Sequence, residues 1–428
     1  MSPRFLVAAI FIASCVGASP AQDLPSIDKL VEQLGSKSFP ERERASKALR
    51  ERGPAVLTAL RKALESKDEE VRKRAEVLIP PLEIDEALLP KRVSIKLDDQ
   101  PLSEAIKQLE KQTGYRYAWL PLVPGTPTKW TLDLKDVSFW EAIDRLGTEK
   151  DRIVCIGNGR TNMDRDKRSS PHFNIRGPFR LDAGWLHEDR DIDFTRDGKA
   201  GFRDSRLTLS VAVMVEPRIT FTKIDPAKID EAIDSDGKSL LEPSDVKPAP
   251  TPSTTSSVAS SGRGTFRSES LLFSDIRLKR ASESAKTIKL LRGTIPIKAI
   301  VIRKPVAVTT KVLDSAGTTF RAGTETIKIT RVIPQGGANF QVELLVPYEQ
   351  GNGPREWHER FHVEDDAGNK FQMNGRGTSS NGREYHISMY FAPLFNKKDV
   401  GPPTKLIFED WIVHDYAIPF EFKDLPLP

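Results

Sequence analysis

Cysteine is almost absent from this sequence. Its 428 residues include two, Cys15 and Cys155, so no disulfide framework holds the fold together. Beyond one run near the start, no segment is long and apolar enough to cross a bilayer as a helix. An excess of one charge sign is missing too. The 65 basic and 60 acidic residues leave a net charge of +5. The signs interleave along the chain, which gives no electrostatic footprint for nucleic acid. There is no G-x-S-x-G elbow and no phosphate loop. Gly157-Asn158-Gly159 lacks a third glycine and opens no helix, so a nucleotide cradle is not expected there. No cofactor is expected.

Hydrophobic residues make up 38% of the chain and charged residues 29%, a balance that can bury cores. The length suggests about three domains. Met1 to Ala21 reads as a signal peptide. Arg4 supplies a minimal positive start, Phe5–Ile12 an apolar stretch, and small residues follow. Ordinary cleavage after Ala21 or Ala18 is favoured. Ile12-Ala13-Ser14-Cys15 also resembles a lipoprotein box, which would put a lipid anchor on Cys15. Either route predicts an extracytoplasmic protein: periplasmic, at the outer envelope, or secreted.

Residues 22–90 carry a repeat of period 30. Leu30, Leu34, Ser36, Lys37, Arg42, Arg44 and Ala45 return as Leu60, Leu64, Ser66, Lys67, Arg72, Arg74 and Ala75. Helices are predicted at 27–34, 40–51, 54–66 and 69–79, with Pro80-Pro81 ending the last. The Arg-x-Arg-Ala start of each second helix resembles HEAT-type helical pairs. That resemblance implies a binding surface, for which Arg42, Arg72, Lys73 and Arg74 are the docking candidates. The competing reading is a solvated face offset by Glu41, Glu43, Asp68, Glu69 and Glu70.

A second duplication spans residues 91–157. Val93-Ser94-Ile95-Lys96-Leu97-Asp98-Asp99 returns 37 positions later as Trp130-Thr131-Leu132-Asp133-Leu134-Lys135-Asp136. Glu104-Ala105-Ile106 likewise returns as Glu141-Ala142-Ile143. Each copy reads as an alternating strand, a helix with one apolar stripe, and a returning strand. Ser138 with Glu141 forms a capping box. The order β-α-β-β-α-β predicts two helices on one face of a single sheet. This stretch resembles the short N-terminal (STN) domain of secretins and TonB-dependent receptors. The resemblance implies a protein–protein contact module of the envelope, although the pore or barrel of those families does not follow here. Trp140, beside the apolar stripe, is the aromatic residue expected at its edge and open to a partner.

From His172 strands dominate. Residues 172–428 predict one or two β-sandwiches, interrupted by a disordered Pro/Ser/Thr segment at 242–264. Three loops share the form Asp-x-x-Gly: Asp234 to Gly237, Asp314 to Gly317 and Asp365 to Gly368. They read as hairpin turns needing a positive φ. A calcium loop at Asp234 lacks its first and last ligands.

His358-Glu359-Arg360-Phe361-His362 is an H-E-x-x-H string. On a helix it would place His358 and His362 on zinc with Glu359 as base, and Glu384 could be a third ligand. Against this, Trp357, Glu359, Phe361 and Val363 alternate as a strand. A strand would hold the two imidazoles about 13 Å apart.

The sequence thus predicts a multidomain α+β protein: short α-helical HEAT-like hairpins, a βαββαβ domain, then an all-β sandwich-like region. The function expected is non-catalytic docking to another envelope protein or to a cell-wall or surface polymer. A zinc hydrolase and a glycan-binding sandwich are the alternatives.

Overall fold

The structure is a computed structural model. It describes residues 25–121, 129–146, 151–156, 170–194, 200–241, 271–322, 325–347, 354–393 and 400–428. The leader, Cys15 and the segment 242–264 lie outside the described residues. The chain divides into two compact units, Met1–Glu86 and Ala87–Pro428. It is mixed α+β and mainly β, with antiparallel, sandwich-like sheets.

The first unit is helical. It comprises α1 (Ile27–Gln33), α2 (Phe39–Glu51), α3 (Leu57–Ala63) and α4 (Glu69–Leu88), whose last residues pass the unit boundary. Leu30, Leu34, Ala45, Leu49, Leu57, Leu60, Ala75 and Leu82 form its core. The period of 30 is geometric as well as sequential. Arg42 donates to the Ser36 carbonyl at 2.7 Å, and Arg72 donates to the Ser66 carbonyl at 2.6 Å. In both copies the arginine closes the loop that precedes its own helix. Leu64 departs from the pattern and is partly exposed, whereas its counterpart Leu34 is fully buried.

Contrary to expectation, α4 does not stop at Pro80-Pro81 but runs through both prolines. The two prolines remove helical donors. The carbonyls left without them belong to Glu76 and Val77, which are exposed to water. Burial of Leu78, Ile79 and Leu82 on the opposite face holds the helix together across that gap.

The second unit opens with the duplicated stretch. Its elements are β1 (Arg92–Pro101), α5 (Leu102–Thr113), β2 (Arg116–Pro121), β3 (Lys129–Ser138), α6 (Phe139–Leu146) and β4 (Asp151–Ile156). The expected four-stranded sheet is not formed. β1 pairs with β3 and β2 with β4, in two separate antiparallel ribbons. α5 lies against both β1 and β2. Its buried stripe Leu102, Ala105, Ile106 and Leu109 joins Phe139, Ala142, Ile143 and Leu146 of α6 in one core.

The β1–β3 ribbon has pseudo-twofold symmetry down to single hydrogen bonds. The Asp99 amide donates to Thr131 Oγ1, and the Asp136 amide donates to Ser94 Oγ. Lys129 pairs with Asp99 while Arg92 pairs with Asp136. Each of these partners sits 37 positions from its equivalent. Both aspartates occupy bulges and hold left-handed backbone, with φ of 47° and 46°. Such a conformation disfavours a β-carbon, and aspartate tolerates it better than most residues.

The remaining strands form three sheets. The first contains β5 (Phe173–Arg176), β6 (Phe179–Phe194), β7 (Ala200–Val215) and β10 (Leu271–Lys279), in the order β10-β7-β6-β5. The second is built on β11 (Thr287–Thr309) and β18 (Lys405–Pro426), which pair along nearly their whole length. β8 (Thr220–Ile224) and β9 (Lys228–Asp234) pair with β11, and β15 (Phe361–Glu364) pairs with β18. The third runs β12 (Thr319–Ala322), β13 (Glu325–Pro334), β14 (Phe340–Pro347), β17 (Glu384–Pro393) and β16 (Phe371–Ser380).

The long β11–β18 ribbon serves two cores. At one end Ile288, Leu291, Ile295, Ile418, Phe420 and Phe422 are buried, and Tyr416 stacks on Phe179 of β6. The Asn174 amide ties β5 to β18 by donating to the Glu421 carbonyl and accepting from its amide. At the other end Leu406 and Phe408 join Phe340, Val342, Leu344, Ile387 and Met389. The sequence suggests two final strands at 406–411 and 417–422. The structure has one, because every residue between them keeps a partner on β11. The three Asp-x-x-Gly glycines, Gly237, Gly317 and Gly368, have φ of 79°, 80° and 79°. Asp234 Oδ1 accepts from the amides of Asp236 and Lys238, the work of a turn residue.

The paired bulges give a matched test. Asp99→Ala and Asp136→Ala are each expected to cost about 1–2 kcal/mol in denaturant unfolding, and the glycine variants distinctly less.

Candidate functional site

The H-E-x-x-H string folds as half helix and half strand. α7 (Pro354–Glu359) ends before Arg360, whose amide donates to the Trp357 carbonyl, and the chain then enters β15 at Phe361. The strand expected from Trp357 onward is therefore corrected for its first four residues, Trp357 to Arg360. Pro354 opens the helix with a preset φ. His358 is buried, and its Nε2 lies 3.3 Å from the Gly377 carbonyl and 3.1 Å from Thr378 Oγ1 on β16. His362 instead lies 3.4 Å from Glu364 and 4.0 Å from Glu409. Burial, helped by Lys370, pushes its pKa below the ordinary histidine value against those two carboxylates.

The Arg360 guanidinium lies over Phe408 at 4.3 Å and Trp357 at 4.9 Å. Its Nε donates to the Glu409 carbonyl. Phe361 fills the core. Glu384 starts β17 at an exposed turn, its amide bound to Asn381 Oδ1. The string thus packs α7 and β15 onto β16 and β18, and its two histidines take different partners. Among the described residues no group of three or more His, Cys, Asp or Glu side chains is set to hold a metal ion.

The arginines of the helical unit are occupied too. Glu70 sits between Arg42 at 3.0 Å and Arg74 at 2.7 Å, and Arg74 also reaches Glu43 at 2.8 Å. The hydrogen bond from Arg74 holds the Glu70 carboxyl below its usual range. These contacts tie the second helix of one repeat to that of the next, so Arg42, Arg72 and Arg74 do not form a bare cationic face.

Trp140 is not at an edge. It is 2% exposed, and its Nε1 donates to the Pro178 carbonyl at 2.8 Å. Its burial exposes a joint that sequence reasoning missed, where the duplicated stretch meets β6 and β7. Arg180 of β6, almost fully buried, pairs with Asp144 of α6 and with Asp182 at 2.8 Å, and lies 4.4 Å from the Phe173 ring. Glu216, just past β7, is 0% exposed. It accepts from the Lys91 amide at 3.0 Å and the Tyr115 hydroxyl at 2.9 Å, with Arg218 at 3.5 Å. Ile175 and Met214 pack on the same core as α5 and α6. The duplicated stretch belongs to the second compact unit, with β6 and β7. Nothing in the local pattern marks Glu216 or Arg180. The only available sign is a charge inside an apolar strand region.

Trp185, one of the tryptophans whose faces could stack on sugars, is exposed. A bulge at Gly184 lies between the pairs Ala183–Val211 and Trp185–Ser210. A β-carbon there would approach the Ser210 carbonyl to 3.1 Å. The bulge turns Trp185 outward to 57% exposure, 5.5 Å from the exposed Phe273. Beside it lies a cavity of about 400 Å³ lined by His172, Ala183, Leu209 and residues 425–428. A lone glycine inside an alternating strand was the available signal.

No family model, curated protein or solved structure matches this chain.

The joint has a pH signature. Burial raises the Glu216 pKa above the ordinary glutamate value of 4.5. The folded protein then binds this proton more tightly than the unfolded chain. The resulting stability is full below about pH 4.5 and is lost as pH rises through the folded value. Glu216→Gln is expected to stabilise the protein near neutral pH, with the gain vanishing below about pH 4. Glu216→Ala removes the acceptor that the Lys91 amide and the Tyr115 hydroxyl share and should cost about 2 kcal/mol. Urea unfolding across pH measures both.

Proposed function

We infer that this chain is a non-catalytic extracytoplasmic scaffold that docks to another envelope protein or to a wall or surface polymer. In this reading the helical unit is a HEAT-like pair of repeats and residues 91–157 are an STN-like contact module. One observation carries it: the duplicated ribbon repeats its bulges, ion pairs and side-chain caps about a pseudo-twofold axis. An intact duplication of that kind supports the resemblance to an envelope contact module. The leader-like residues 1–21 support export.

Two other readings keep specific support. The H-E-x-x-H string supports a zinc hydrolase, though its imidazoles contact different strands. The exposed Trp185–Phe273 pair beside a cavity supports glycan binding, since aromatic faces suit sugar rings.

Deleting residues 93–156 is a poor test, because it would uncover Arg180 and Glu216. Photo-crosslinking side chains at the exposed positions Lys107, Lys111 and Lys135, introduced in cells, avoid that damage. The scaffold reading expects one discrete covalent adduct in the envelope fraction from these sites and none from Lys328 on β13. No discrete adduct from any of them contradicts it. About one equivalent of tightly bound zinc, lost in His362→Ala, would establish the hydrolase instead.

A further inference from the structure

The two halves of the β1–β3 ribbon differ in one respect. α5 covers the outer edge of β1 with two glutamines. Gln108 accepts from the Lys96 amide at 3.1 Å and donates to the Lys96 carbonyl at 3.0 Å. Gln112 does the same for Ser94, at 2.9 Å and 2.8 Å. Each side-chain amide takes the place of a peptide group from a neighbouring strand. Exposed strand edges invite pairing, and this one is blocked.

Among the described residues no such pair of side-chain amides covers the equivalent edge of β3. Thirty-seven positions after Gln108 stands Arg145, which lacks the paired donor and acceptor. The direction of the β3 backbone follows from β1. Lys96 opposes Asp133, and its amide and carbonyl both point outward to Gln108. The Asp133 groups must then point outward on the other side, as must those of Thr131 by alternation. Among the described residues no strand pairs with that edge.

We propose that the outer edge of β3 pairs with the same edge of a second copy of this chain. The sheet becomes a four-stranded β1-β3-β3-β1 array about a twofold axis at Thr131. Charge fixes the register. Centred on Leu132, Lys129 would oppose Lys135 twice. Centred on Asp133, the two Asp133 carboxylates would face each other. Centred on Thr131, Lys129 of each copy opposes Asp133 of the other, and the two threonines meet. On the helix-facing side, the half-buried Trp130 and Leu132 of one copy then cover Leu132 and Trp130 of the other. This contact needs a twofold axis and is self-complementary, as an isologous interface must be.

The test is sedimentation of the full chain as a function of concentration. Wild type is expected to form a dimer. Asp133→Lys places like charges together twice and should weaken dimerisation about tenfold or more. Combining it with Lys129→Asp restores opposite charges and should restore the dimer. With Cys15 and Cys155 replaced by serine, Thr131→Cys should form a disulfide dimer on oxidation, and Lys135→Cys should not. A wild type that stays monomeric, or a dimer indifferent to Asp133→Lys, would overturn the proposal. So would a double variant that stays monomeric while folded, or equal cross-linking at both cysteine positions.

Discussion

One buried carboxylate constrains the second unit. Glu216 is fully buried, and it relies on the Lys91 amide, the Tyr115 hydroxyl and Arg218. Those groups come from the start of the duplicated stretch, from the second residue after α5, and from the turn after β7. A few residues away, Arg180 makes the same demand of Asp144 on α6. Trp140 adds its bond to the Pro178 carbonyl, which also accepts from the Glu216 amide. Breaking the Trp140 or the Lys91 bond removes the acceptor of that N–H group. The duplicated ribbon is thereby locked to β6 and β7, and among the described residues no strand pairs with the outer edge of β3.

The β11–β18 ribbon extends that lock through the rest of the unit. Its length lets one pair of strands take part in two cores, one against β6 and β7 and one against β14 and β17. Pro296 and Pro419 sit within it without ending it, each still aligned with a residue of the other strand. The H-E-x-x-H string belongs to the second core. Its arginine is stacked between aromatic rings and its phenylalanine is buried, so its spacing follows from packing α7 beside β15.

What was legible in the sequence was local. The helical repeat showed because Leu30, Ala45, Leu60 and Ala75 recur at one spacing and are all buried. The 37-residue duplication showed because the same residue types recur at equivalent places, although each bulge is held by the other half of the ribbon. The three Asp-x-x-Gly turns showed because glycine alone reaches φ near 80° without strain. What failed depended on distant partners. Alternation in β1 and β3 cannot say which strands pair, and they formed two ribbons instead of one sheet. Trp140 looked peripheral because its acceptor, Pro178, lies 38 residues away. Pro80-Pro81 ended a helix on paper, but Leu82 is buried one turn beyond Leu78 and holds it.

The central claim is that residues 91–146 unfold together with β6 and β7. Native-state hydrogen exchange on the full chain tests it directly. The account predicts that the amides of α5, α6 and β7 exchange through one shared opening, with the same free energy and denaturant dependence, and that Glu216→Ala lowers all three together. If α5 and α6 open at a markedly lower free energy while β7 stays protected, the joint is not a structural lock and the account fails.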